Sequence, residues 1–209
     1  MTDDARRQRE ADLITYYDNE TTDRVDRELP EWRVAKRDDF LELLRREQRK
    51  AVLEVGTGPG RDAQAFVDAG LDFRGVDLAP GSVEICRELG LDVQVGSVLD
   101  LPFETEAFDA GWTMSTLLHV SDADLPNALA ELARVLKPGA PLALGLWGHP
   151  DWTEGPSGDS DYGPPRFFSF RSDETLHHQL STIGQVEQTD RREIEGPFHY
   201  QWAVVRVGK

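Results

Sequence analysis

The chain is poor in cysteine. Cys86 stands alone among 209 residues. No disulfide can close within the chain, and no cysteine-rich metal site can form. Lysine is scarce too, with four against nineteen arginines; composition bias and adaptation to high salt both account for that. No apolar run approaches the roughly 20 residues that cross a bilayer. The opening Met1-Thr2-Asp3-Asp4 is acidic and lacks the apolar stretch of a secretory signal. Basic clusters are missing. Asp and Glu number 39 against 23 Lys and Arg, for a formal charge of -16. Such a surface repels polyphosphates and anionic membranes at long range. The expectation is a cytoplasmic protein with no nucleic-acid or membrane partner and no bound metal. Oligomeric state is left open.

What is present is an alternation of short apolar strands and helices. The pattern predicts helices over residues 5–18 and from Pro30 onward, then strand 51–55 and helix 61–69. Strand 72–76, helix 81–89 and strand 92–95 follow, then strand 108–113, helix 123–136 and strand 141–147. This order predicts an α/β fold, a Rossmann-like, doubly wound, mostly parallel seven-stranded sheet with helices on both faces. A single domain is expected, with an N-terminal helical segment (1–48), a core (49–147), a variable loop (148–165) and a C-terminal part (166–209). The loop is rich in Gly, Pro, Asp and Ser. After it come 166–170, a helix over 172–183 with Ser172 as N-cap and Gly184 as stop, and strands near 185–193 and 200–207.

The densest signal is Glu54-Val55-Gly56-Thr57-Gly58-Pro59-Gly60, where a buried strand runs through closely spaced glycines into a helix. Glycine lets the backbone turn tightly and lets a ligand approach it. Asp77 ends the second strand, where a carboxylate can accept hydrogen bonds from both ribose hydroxyls. Together they point to a nucleoside at the carboxyl edge of the sheet. A dinucleotide fingerprint would carry glycine at position 61, where this chain has Arg61. Glu54 puts a negative charge near the loop, which disfavours a diphosphate and suits a cationic ligand.

In order along the chain, residues 51–147 resemble the class I S-adenosylmethionine-dependent methyltransferases of the small-molecule, type 11-like kind. The glycine run resembles their first motif and Asp77 their ribose-binding acid. Gly96-Ser97-Val98-Leu99-Asp100-Leu101-Pro102-Phe103 resembles the segment beside the adenine. The stretch from Phe108-Asp109-Ala110 to Leu118-His119-Val120 is similar to their fourth strand and its turn. Arg134-Val135-Leu136-Lys137-Pro138-Gly139-Ala140 is similar to the turn before the fifth strand. Two positions depart: Ser97 stands where Asp is frequent, and Ala140 where Gly is frequent. The resemblance implies S-adenosylmethionine as cofactor and transfer of its methyl group to a small-molecule acceptor. The cofactor-binding residues it implies are Glu54, Gly56, Thr57, Gly58, Gly60, Asp77, Leu78, Ser97, Val98, Thr113, Met114 and Ser115, with Arg33 toward the methionine carboxylate.

His119, after the fourth strand, is the candidate general base; packing on the cofactor is the plainer alternative. His149 and His199 are weaker candidates. His177 and His178 are helix neighbours pointing about 100° apart, a poor chelating pair. Tyr16 and Tyr17 on the first helix, with Trp152, Phe167 and Phe168 around the loop, are candidates to hold the acceptor. Trp147 is expected to end a buried strand, and Cys86 to pack. Three rivals remain open: a nicotinamide oxidoreductase of Rossmann type, a non-catalytic S-adenosylmethionine-binding module, and a methyltransferase acting on RNA or protein.

Overall fold

The computed structural model describes residues 3–25, 27–151, 153–194 and 196–208. Two helices, α1 (Asp3–Val25) and α2 (Glu31–Arg46), precede the alternating part. That part runs β1 (Ala51–Val55), α3 (Ala63–Asp68), β2 (Asp72–Asp77), α4 (Pro80–Glu88), β3 (Val93–Val95), β4 (Ala110–Met114), a 3-10 turn (Leu117–His119), α5 (Leu125–Val135) and β5 (Pro141–Gly148). A hairpin of β6 (Thr153–Ser157) and β7 (Arg166–Phe170), then α6 (Asp173–Leu180), β8 (Gly184–Glu193) and β9 (His199–Val207), complete the chain.

Seven strands form one sheet in the order β3-β2-β1-β4-β5-β9-β8. The first five are parallel, and β9 and β8 add on antiparallel. The fold is therefore the expected Rossmann-like α/β arrangement with an antiparallel edge. Alternation sorts side chains to the two faces. Leu53, Val55, Leu142, Leu144, Ala203 and Val205 meet α5 and α6 through Leu125, Leu129, Leu132 and Leu176. Val52, Trp112, Ala143, Trp202 and Val204 meet the other helices through Phe40, Leu44, Phe66, Val83 and Cys86. Each large apolar side chain so buried contributes about 1.5–3 kcal/mol.

Several local expectations need correction. The first helix does not stop at residue 18 but runs to Val25, because Glu20 is buried between Arg24 and Arg27 and carries the helix on. Pro30 is the N-cap of α2 and not its first helical residue. The region 148–165 is not all loop: Thr153–Ser157 pairs antiparallel with Arg166–Phe170. Its glycine and proline hide the strand, yet a two-stranded ribbon is all edge and tolerates proline. Trp147 ends β5 but is 36% exposed instead of buried, with its ring against Tyr200. Ser172 does cap α6, its Oγ accepting from the Thr175 amide at 3.2 Å.

The β6–β7 hairpin is fixed by Arg171, which is fully buried. Its guanidinium donates to the carbonyls of Leu117, Val120 and Ser169. Those bonds tie the hairpin to the 3-10 turn after β4. Helix α1 docks on α4: Asp18 accepts from the Gly81 amide at 2.8 Å and so satisfies one of the open N–H groups at that helix start.

Candidate functional site

The strand order changes direction between β1 and β4, so the chain opens a crevice at their carboxyl ends. A cavity lies there, with about 940 Å³ of empty space, open solvent included. The ends of β1, β2 and β4 supply its floor through Val55, Gly56 and Gly58, Val76 to Leu78, and Met114 to Thr116. The segment 96–99 closes one side, and α1 covers it with Leu13, Glu10 and Tyr17.

The glycine loop is shaped by left-handed backbone. Gly56 has φ +78° and Gly58 φ +54°. A Cβ at Gly56 would collide with the Thr116 side chain, whose hydroxyl donates to the Val55 carbonyl at 3.2 Å. A Cβ at Gly58 would meet no protein atom within 4 Å. Space beside that backbone is thus free for a ligand. Ser115 also adopts φ +56°, an uncommon conformation for a non-glycine residue. It is held by its amide bond to the Gly145 carbonyl at 2.6 Å.

Asp77 is half-buried at the tip of β2. One oxygen accepts from the Gly58 amide at 2.7 Å and the other from the Ala79 amide at 2.9 Å. Burial raises its pKa, and the two amides oppose that shift. Each oxygen keeps a lone pair for a further donor. Asp77 therefore both braces the glycine loop and lines the cavity. Glu54 lies behind the loop, 2% exposed, and its Oε2 has no hydrogen-bond partner. Burial first, then Asp62, pushes its pKa well above the ordinary value, against the pull of Arg33. A buried acceptor without a partner is costly, and a cationic ligand would relieve that cost.

His119 is turned into the cavity from the 3-10 turn. Its Nδ1 lies 2.8 Å from the Phe167 carbonyl and its Nε2 2.6 Å from the Tyr17 hydroxyl. A carbonyl only accepts, so Nδ1 carries the hydrogen and Nε2 accepts from Tyr17. Desolvation, and then the charges of Arg166 and Arg24, lower the His119 pKa to about 4 against the support of the Phe167 carbonyl. The Phe168 ring packs 4.7 Å from the imidazole, and Arg166 lies 3.5 Å from the Tyr17 oxygen.

Of the residues singled out from sequence, Gly56, Gly58, Asp77, Leu78, Ser97, Val98, Met114, Ser115, Tyr17 and His119 line the cavity. Thr57, Thr113 and Glu54 are buried behind its wall, and Gly60 turns away into the packing of Leu91. Arg33 is held by Asp62 at 2.7 Å and does not line the cavity. Tyr16 is buried and donates to Asp159, so its ring docks α1. Phe167 and Phe168 stand behind His119, and Trp152 lies outside the described residues. Sequence reasoning missed Thr116, which follows the strand by two residues and carried no motif signal. It also missed Glu10, Arg9 and Arg24 of α1, which read as an ordinary charged helix face. Among the described residues no cluster of His, Cys, Asp and Glu can hold a metal, and no helix is long and apolar enough to cross a membrane.

Residues 52–139 match the family model of a methyltransferase domain. A demethylmenaquinone methyltransferase of Renibacterium salmoninarum is 36% identical over 101 residues, 47% of this chain and 42% of its own length. A tRNA (carboxymethyluridine(34)-5-O)-methyltransferase of Arabidopsis thaliana is 30% identical over 109 residues, 52% of this chain and 26% of its own length. The chain thus spans less than half the length of these curated relatives. Among solved structures, that of a DhpI–SAH complex superposes with a TM-score of 0.69 at 20% identity, over 95% of this chain and 97% of that one.

Proposed function

We propose that this chain, whose residues 52–139 match the family model of a methyltransferase domain, is a class I S-adenosylmethionine-dependent methyltransferase that transfers the methyl group to a small-molecule acceptor. The observation that supports the acceptor class is the roof: α1 lays Glu10, Leu13 and Tyr17 over the cavity at the carboxyl edge of the sheet, which favours a compact molecule as acceptor. The cofactor fits the polar groups present. Glu54, with its unpartnered buried oxygen, suits a cation, the open side of Gly58 admits a ligand against the backbone, and Asp77 offers lone pairs to ribose hydroxyls. Leu78 and Val98 supply apolar surface for a base.

When bound, S-adenosylmethionine supplies a methyl group already activated by its positive sulfur. The protein's remaining task is to hold the acceptor in line and keep water away. Tyr17, His119 and Thr116 line the cavity together and form the polar surface an acceptor would meet. The Tyr17 hydroxyl gives its hydrogen to His119 Nε2, and its oxygen, which accepts from Arg166 at 3.5 Å, keeps a lone pair for an acceptor's proton. A proton leaving the acceptor can be taken at that oxygen while the tyrosine proton passes to His119. With a pKa of about 4, His119 is a weak base. The pair suits an acceptor that loses its proton easily or carries none at the attacking atom, and its main service is orientation.

A second reading, methylation of tRNA, follows from the names of two relatives. The net charge of -16 disfavours it. Incubation with methyl-labelled S-adenosylmethionine, with a metabolite extract in one arm and total tRNA in the other, separates the two. Label should appear in the small-molecule fraction. Label confined to tRNA would overturn the acceptor class.

A further inference from the structure

The cavity has a second end, away from the glycine loop, where the observations reach further than the reading above. The segment after β3 is tied to the end of β2, since the Gly96 amide donates to the Asp77 carbonyl at 2.9 Å. A base attached to a ribose held at Asp77 therefore lies against residues 96–99. The walls there are apolar: Val76, Leu78, Val98 and Leu99 from the sheet edge and Leu13 from α1. Polar groups reach the cavity here from Ser97 and, on α1, from Glu10 and from Arg6 one turn before it. Ser97 Oγ donates to Glu10 Oε1 at 2.6 Å and accepts from the Leu99 amide at 3.2 Å.

That arrangement has a direction. The one hydrogen of the Ser97 hydroxyl is spent on Glu10, and its oxygen already serves an amide. A carboxylate only accepts. Toward the cavity this end of the slot presents acceptors held in place by each other. A ligand edge that donates fits it, and one that lacks donors forgoes a hydrogen bond to the half-buried Glu10 carboxylate.

We propose that Glu10 of α1 is the residue that recognises the exocyclic amino group of the cofactor's purine, with Ser97 as the group that positions its carboxylate. The inference rests on the reading of the cavity as an S-adenosylmethionine site. It adds a role for the covering helix: the same element that closes the cavity reads the base, so docking of α1 and cofactor binding reinforce one another. Glu10 sits one turn before Leu13 and two turns before Tyr17, so base, apolar wall and acceptor side are served by one face of one helix.

The test compares S-adenosylhomocysteine with its analogue bearing hydrogen in place of the purine 6-amino group, by calorimetry and without turnover. The wild-type chain should bind the amino compound about tenfold more tightly, the order expected of one charge-assisted hydrogen bond. Glu10→Ala should bind the two compounds alike. Glu10→Gln, which keeps the shape of the side chain, guards against a folding defect and should reduce the ratio severalfold. Ser97→Ala should lower the preference part of the way, and an unchanged ratio would remove Ser97 as the positioning group. If both Glu10 variants retain the wild-type ratio, or if the wild-type chain shows no preference, the inference fails while the cofactor reading stands. If the wild-type chain binds neither compound, the cofactor reading itself fails and takes the inference with it.

Discussion

Two buried titratable side chains, Glu54 and His119, are placed so that pH reports on the site. Glu54 is pushed upward by burial and by Asp62, so the empty protein favours its protonated form. A bound cation favours the ionised form. Binding of S-adenosylhomocysteine, whose ammonium remains, should therefore release protons, and more of them as pH falls and the empty protein holds Glu54 more fully protonated. Calorimetry in buffers of different ionisation enthalpy measures this, and Glu54→Gln should abolish it. Unchanged proton release in that variant would remove Glu54 from the account. His119 is shifted the other way, to about 4. An unfolded histidine titrates near 6.5, so the unfolded chain binds the proton first. The stability that neutral His119 contributes is full above about 6.5 and is lost as pH falls through about 4. Nitrogen-resolved NMR should find the Nδ1–H tautomer down to that range. A ring that titrates near 6.5 would show that the Phe167 carbonyl and Tyr17 do not hold it. Neither shift was visible in sequence. Glu54 was marked by its place before the glycines, but its burial came from the sheet. His119 was marked by its place after the fourth strand, but its partners lie 48 and 102 residues away.

Among elements, α1 roofs the cavity and the β6–β7 hairpin region holds α1 in place. A strap joins them: Tyr16 donates to Asp159, Tyr162 donates to Asp23 at 2.5 Å, and Asn19 donates to the Tyr162 carbonyl at 2.7 Å. Arg166 lies over the Tyr16 ring at 4.1 Å. Removing residues 153–163 would take β6 with it and strip β7 of its partner. The cleaner probe is the double variant Asp159→Ala, Tyr162→Ala, which cuts the strap and spares the ribbon. Amide exchange in α1 should rise severalfold while β1, β4 and β5 stay protected, since local opening follows the contacts that hold a segment. Cofactor release should quicken in parallel. Unaltered exchange in α1 would mean that Leu13 and the bond from the Gly81 amide of α4 to Asp18 suffice to hold the roof. The strands of the parallel core were legible because each is a short run rich in apolar residues, with a glycine or an acid at the end of β1, β2 and β3. The ribbon was not, because Glu154-Gly155-Pro156 reads as a turn until Phe167 and Phe168 come back to pair with it.

At the scale of the whole molecule, motif order fixes the cofactor half and charge restrains the acceptor half. The glycine loop, Asp77 and the 96–99 segment converge although they lie up to about 40 residues apart in the chain, because parallel strands bring their carboxyl ends to one edge. The roof could not be read that way, since its contacts are made by a charged helix without periodic apolar residues beyond Leu13 and its neighbours. A surface of net charge -16 faces solvent around a cavity into which Arg6, Arg9 and Arg24 project. The most direct test is a calorimetric titration of the chain with S-adenosylhomocysteine and, separately, with NAD. S-adenosylhomocysteine should bind saturably at one site, Asp77→Ala should weaken that binding at least about tenfold, and NAD should give no binding heat. Saturable NAD binding with no response to S-adenosylhomocysteine would contradict the account at its centre.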